Sequence, residues 1–259
     1  MSAAQALARA RGFSWLAKPL PLLLLLGAWT LATGAGWYPR ALLVPPQQVW
    51  DAFTEMLASG ELQEHLSMSL HRLLIGMMLG SSLGLAFGVS MALSKTVEVY
   101  TASLFNVLRQ VPSIALIPVL ILIFGIGETF KVLIVTKAAF FPVALAAYTA
   151  VQGIPKNYFE VGRVYQLPGL VLLRRVILPS TVPPIVTGLR LALGRSWGTL
   201  VAAELLAAEA GIGQMMEFGR QMFRIDVVMV GVVITGLIGF VLDRAMKLVE
   251  ARLSRWRPR

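Results

Sequence analysis

The sequence predicts an all-α, polytopic membrane protein with about six transmembrane helices and both termini in the cytoplasm. Three observations carry that expectation. Of 259 residues, 57% are hydrophobic and only 14% charged, and mean hydropathy is +0.74; a soluble domain has about 45–50% and about 25%. The apolar excess falls in runs of about 18 residues or more, enough to cross a ~30 Å hydrocarbon core at 1.5 Å per residue. Charge also alternates between those runs. Segments 1–18, 94–110, 152–181 and 243–259 hold fifteen Lys/Arg against four Asp/Glu, whereas 38–66, 128–131 and 204–226 hold four against nine. The positive-inside rule places the basic set in the cytoplasm, and removing any one span would spoil the alternation.

The expected spans are 19–37, 73–93, 111–127, 130–151, 182–205 and 227–247. Arg9, Arg11 and Lys18 precede the first, which therefore resembles a secretory leader. It is long enough to span, however, and further spans follow, so it reads as a retained helix. After it, Val49, Trp50, Phe53, Met56 and Leu57 recur at helical spacing, with Pro46 suited to a first turn. This segment, 45–60, predicts a short amphipathic helix at the outer interface. Residues 1–60 thus form a cytoplasmic tail, a first span and an external helix; residues 61–259 form the core.

In the second span Gly76, Gly80, Gly84 and Gly88 fall every fourth residue. Missing side chains on one helical face let a neighbouring helix approach closely. Packing is the leading reading of the stripe, and a face that slides during transport is the second.

Residues 152–181 interrupt the apolar pattern with Lys156, Arg163, Arg174 and Arg175. Tyr158, Val161 and Tyr165 lie three to four residues apart, which predicts an amphipathic helix. A second short helix is expected at about 170–177, with Pro168 and Gly169 breaking between them. Leu178-Pro179 and Pro183-Pro184 are expected to stop that second helix before span five. A linker has little need of regularly placed apolar residues, so the hairpin reads as a surface for a soluble partner.

Cations also occur inside the spans: Lys137 in the fourth, Arg190 and Arg195 in the fifth, with Arg72 opening the second. Charges in lipid face a cavity or a partner. An anion route would favour that sign. The other readings are a snorkelling Arg190, an interfacial anchor at Arg72, and a Lys137 paired with Glu128 or Glu204.

Other classes find little support. Zero cysteines and two histidines exclude disulfides and disfavour metal centres. The net charge of +10 is read as basic loops on one membrane side, not a nucleic-acid surface. No nucleophile–base set stands out, so no catalytic residues and no metal ligands are expected. An ion-driven secondary transporter is the main alternative, with Glu204 as its best buried acid; no inverted repeat supports it.

The polar interlude resembles the coupling-loop signature of ABC importer permeases: Glu-Ala-Ala, a glycine, then a β-branched residue, any residue, and Leu-Pro. Glu160, Val176, Leu178 and Pro179 match, whereas Val161-Gly162 replaces Ala-Ala and Gln166 stands where the family has glycine. With those departures the turn is expected to shift to Pro168-Gly169. The stretches "SLHRLLIGMMLGSSLGLAFG", "QVPSIALIPVLILIFGIGETFKVLIV", "TGLRLALGRSW" and "LVAAELLAAEAGIGQMM" resemble the nitrate/taurine/sulfonate branch of that family.

The resemblance implies half of a translocation pore in a bacterial inner membrane, completed by a second permease copy, with a homodimer expected. It also implies two ATP-binding subunits and a periplasmic solute-binding protein. ATP and Mg would be used by the partner ATPase. This chain has no G-x-x-x-x-G-K-[ST] loop to cradle phosphates and is not expected to be an enzyme. Tyr158, Glu160, Arg163 and Tyr165 are then the expected contacts with the ATPase, and Leu178 and Pro179 set the loop's exit.

Overall fold

A computed structural model describes residues 20–37, 39 and 43–253. The side chains of Lys156, Phe159, Val161, Arg163, Leu170, Leu173 and Val176 lie outside that description, as do the expected N-terminal tail and the last basic residues. Among the described residues all regular structure is helical. The helices are α1 Leu20–Gly34, α2 Pro46–Ser59, α3 Glu61–Leu93, α4 Lys95–Leu108, α5 Ile117–Phe124 and α6 Glu128–Gln152. They continue with α7 Lys156–Val164, α8 Gly169–Leu172, α9 Leu178–Ala207, α10 Ile212–Gln221 and α11 Ile225–Leu253.

The centre of the fold is α6, packed between α3 and α9. The glycine stripe decides the first contact. A Cβ on Gly76 would sit 2.5 Å from Val135 Cγ1, and one on Gly84 2.6 Å from the Phe140 carbonyl oxygen. On Gly80 and Gly88 it would run into the carbonyl oxygens of Thr136 and Ala144. Successive glycines meet successive turns of α6, so α3 and α6 run parallel with their backbones nearly touching. Helix α9 runs the other way: Ser196 lies by Val135, and Gly188 against Ala146. Helix α11 is antiparallel to α9, since Trp197 Nε1 donates to Thr235 O (3.0 Å) and Arg190 meets Asp243.

Among the described residues three helices, α3, α6 and α11, are long and apolar enough to cross a membrane. The 30 residues of α9 have the length but carry Arg190, Arg195 and Glu204. The expected span at 111–127 is corrected: it is a 3-10 turn, Ile114–Leu116, followed by the eight residues of α5. Pro112 and Pro118 remove backbone donors at its start, and Gly125 at φ 76 ends it. Eleven helical residues reach roughly 16–18 Å, short of the hydrocarbon core. Helix α4, within a segment read from sequence only as a basic loop, is capped by Ser94, whose Oγ accepts from Val97 N (3.3 Å).

Helix α2 turns Val49, Ala52 and Met56 inward and leaves Trp50 and Leu57 exposed, so the amphipathic face is narrower than the five spaced residues suggested. The prolines before span five do not break the chain. Pro179 occupies the first turn of α9, where its missing donor costs nothing, and the helix continues through Pro183 and Pro184. A π-helical turn, Leu173–Ile177, joins it to α8. Thr181 Oγ donates to Ile177 O (3.0 Å), satisfying a carbonyl at that junction.

Candidate functional site

At the end of the bundle where α3 and α6 begin and α9 finishes, a buried ion network ties four elements together. Arg72, 2% exposed, donates through Nε and Nη2 to the two Glu128 oxygens (2.6 and 2.7 Å) and through Nη1 to Glu204 (2.8 Å) and Ala210 O (2.6 Å). Glu204 is 1% exposed. Its carboxylate also accepts from the Ser69 hydroxyl (2.8 Å) and from Gly213 N (3.1 Å), while Ser69 Oγ accepts from Ile212 N (2.9 Å). Lys131 adds a 3.0 Å bond to Glu128. The backbone at Gly211 takes φ 125, and a Cβ there would strike the Glu204 carboxylate, so glycine is required on both counts.

This placement decides among the readings of Arg72. It lies 11 residues inside α3, buried and paired with two carboxylates, rather than opening the helix at the surface. Glu204 is equally committed and offers no free acid. Arg190 pairs with Asp243 through Nε and Nη2 (2.6 and 3.0 Å) and with Glu250 (3.3 Å), holding α9 to α11.

Lys137 and Arg195 are different. Lys137 Nζ donates to Val111 O (2.7 Å) and reaches neither Glu128 nor Glu204, both held by Arg72. Arg195 has no side-chain hydrogen bond or acid partner among the described residues. Both line a cavity of about 540 Å³ between the segment 109–114, α6 and α9, and Arg109 joins them there. The composition gave no reason to single out Arg109, which sits at the end of a helix that was not expected. Arg195 lies roughly 25 Å along α9 from its start and roughly 18 Å from its end, and Lys137 roughly 14 Å into α6, at 1.5 Å per residue. A charge at such depth costs about 2.5–3.5 kcal/mol in lipid unless water or a counter-charge meets it.

At the opposite end, α7, α8 and the π turn form a hairpin between α6 and α9. Its inner contact explains one departure from the coupling signature: a Cβ on Gly162 would lie 2.8 Å from Leu172 Cδ1, so glycine lets α8 close on α7. The other departure is tolerated at a cost. Gln166 itself takes the left-handed conformation (φ 48), and Leu167 N donates back to Gly162 O (2.9 Å). The turn therefore stays at the position where the family has glycine and does not shift to Pro168-Gly169. Tyr158, Glu160 and Tyr165 are exposed, Tyr165 at 74%. Leu178 and Pro179 start α9. The side chain of Arg163 lies outside the described residues.

Comparison with known proteins agrees with this architecture. Residues 78–255 match the family described as binding-protein-dependent transport system inner membrane component. The chain is 38% identical to an aliphatic sulfonates transport permease of Escherichia coli (strain K12) over 94% of each protein. It is 35% identical to the taurine transport system permease of the same organism, over 88% of this chain and 84% of that one. A nitrate import permease of Leptolyngbya laminosa is 29% identical over the same shares. Among solved structures, an inward-facing methionine ABC transporter superposes with a TM-score of 0.60 at 21% identity, covering 71% of this chain and 92% of that one. An amino acid ABC transporter gives 0.62 at 16%, covering 78% and 96%; at such identities the likeness is one of fold. The chain belongs to the binding-protein-dependent inner membrane component family: it is a multi-pass ABC transporter permease.

Proposed function

We propose that this permease is the membrane-spanning half of an ATP-driven importer, completed by a second copy, in a bacterial inner membrane with its hairpin in the cytoplasm. The solute is a small anion of the sulfonate, taurine or nitrate kind. A periplasmic binding protein delivers it to the end bearing the Arg72–Glu204 network. Two separate subunits bind and hydrolyse ATP with Mg and grip the hairpins.

The observation that carries this reading is the continuity of α9. It starts at the hairpin with Leu178, passes the cavity at Arg195 and ends in the buried network at Glu204. Thirty residues make a rod of roughly 45 Å. A partner that displaces α7 and α8 through Tyr158, Glu160 and Tyr165 therefore moves the cavity wall in the same stroke. Rigid-body motion of this kind underlies alternating access. The chain's own work is to be moved and to shape a path; the hydrolysis belongs to its partners.

Glu160→Lys tests the reading. It should abolish solute-stimulated ATPase of the assembled transporter while the permease remains inserted and paired. Unaltered stimulation in that variant would remove the hairpin from the coupling path and the proposal with it.

A further inference from the structure

The cavity between the segment 109–114, α6 and α9 holds three cations, Arg109, Lys137 and Arg195, and no acid among the described residues. None of the three has an acid partner among the described residues, whereas Arg72 and Arg190 are each held by two carboxylates. We propose that this cavity is an intramembrane site for a small organic oxyanion, in which the cations meet a singly charged acid head and an apolar wall takes a short alkyl tail. The proposal deepens the importer reading and rests on it for its biological sense.

Three features shape the site. Its positive charge is uncompensated at a depth where α6 and α9 cross the apolar layer, so an anion and its water are the complement the electrostatics require. Apolar residues line it as well: Val111, Ile114, Phe141 and Pro142 border the same cavity. A volume of about 540 Å³ lies in the range of small-molecule pockets, ~300–1,000 Å³. Lys137, by holding Val111 O, also fixes the strand of chain that carries Arg109 into the cavity.

The glycines of α9 supply an independent argument. Gly194 and Gly198 both line the cavity, and a Cβ on either would meet nothing within 4 Å. Unlike Gly76 to Gly88, they are not spent on packing within the chain. Helix-interior glycine is unfavourable, so their benefit lies in the open space they leave one turn apart, flanking Arg195.

Saturation-transfer NMR on the full chain in lipid nanodiscs reads weak binding without needing the ATPase. Ethanesulfonate should give a saturable signal from its ethyl protons, inorganic sulfate should reduce that signal by competition, and ethanol should give none. Arg109→Gln and Arg195→Gln should each weaken binding by about tenfold or more, the scale of a lost charged hydrogen bond. Neither side chain supports the fold through a partner, so both variants should remain folded. Arg195→Lys should keep most of the affinity, and Gly198→Leu should block the site sterically.

No ethanesulfonate signal from the parent, an equal signal from ethanol, or parental binding in both arginine variants would overturn the proposal. Such a failure would leave solute-stimulated ATPase and the effect of Glu160→Lys untouched. Loss of the importer reading would instead appear in those two measurements, with anion binding intact.

Discussion

Arg72 Nη1 and Glu204 meet at 2.8 Å although 132 residues separate them. The contact joins α3 to the end of α9, and through Ala210, Gly213 and Ile212 it pins the loop leading into α10. With both side chains fully buried, neither charge can be rehydrated if the other is removed.

Arg72→Ala is expected to cost about 3–5 kcal/mol, because it leaves the buried Glu204 carboxylate without a counter-charge; Glu204→Ala should cost less, since Arg72 keeps both Glu128 oxygens. Ser69→Ala, which frees the Ile212 N–H and one acceptor site on Glu204, should cost less, about 1–3 kcal/mol. Thermal unfolding of the purified chain in one detergent orders the three. A Ser69→Ala variant less stable than Arg72→Ala would mean that Arg72 gains little from its carboxylates.

The glycine stripe makes a sharper steric test. Gly84→Ala places a methyl 2.6 Å from the Phe140 carbonyl oxygen, a backbone atom that cannot swing aside. Separating α3 from α6 should cost about 1–3 kcal/mol. Gly27→Ala in α1 meets nothing within 4 Å and serves as the control, expected neutral or slightly stabilising. Equal stability of the two variants would argue against close backbone contact.

At the hairpin the expected effect has the opposite sign. Gln166 holds a left-handed conformation (φ 48) that costs a side-chain-bearing residue about 1–2 kcal/mol. Gln166→Gly relieves that strain and loses part of the gain to unfolded-state entropy, for a net stabilisation of roughly 0.5 kcal/mol. Slower amide exchange at Leu167 in the variant is the readout; faster exchange would contradict the strain.

Beyond the spans, Arg220 beside Glu217 holds its carboxyl down at about 2, below the ordinary 4.5. A lowered folded-state value means that the contribution to stability is complete above pH 4.5 and fades as pH falls toward 2. The pair is at the surface, so the effect is small. The difference in melting temperature between the parent and Glu217→Gln should therefore be constant from pH 7 to about 5 and shrink below that.

Much of the scaffold was legible in the chain itself. Apolar runs located the long helices, four-residue spacing put Gly76 to Gly88 on one face, and the polar interlude at 152–181 marked the hairpin. These are local signals: each depends on neighbours within a few turns. The short α5 was harder, since the apolar run 111–127 is continuous in composition and only Pro112, Pro118 and Gly125 hinted at its break.

What composition could not separate was one buried cation from another. Arg72, Lys137, Arg190 and Arg195 share the same sign and similar apolar flanks, yet two are locked to carboxylates 53 to 132 residues away and two face a cavity. Charge compensation acts through space, so the partners of Arg72 and the solitude of Arg195 exist only once α3, α6, α9 and α11 are packed. The sequence by itself determined the long helices, the close-packing face of Gly76 to Gly88 and the polar hairpin at 152–181. The tertiary structure decided which charges find carboxylates across the bundle and which face the cavity, because those partners come from helices distant in the chain.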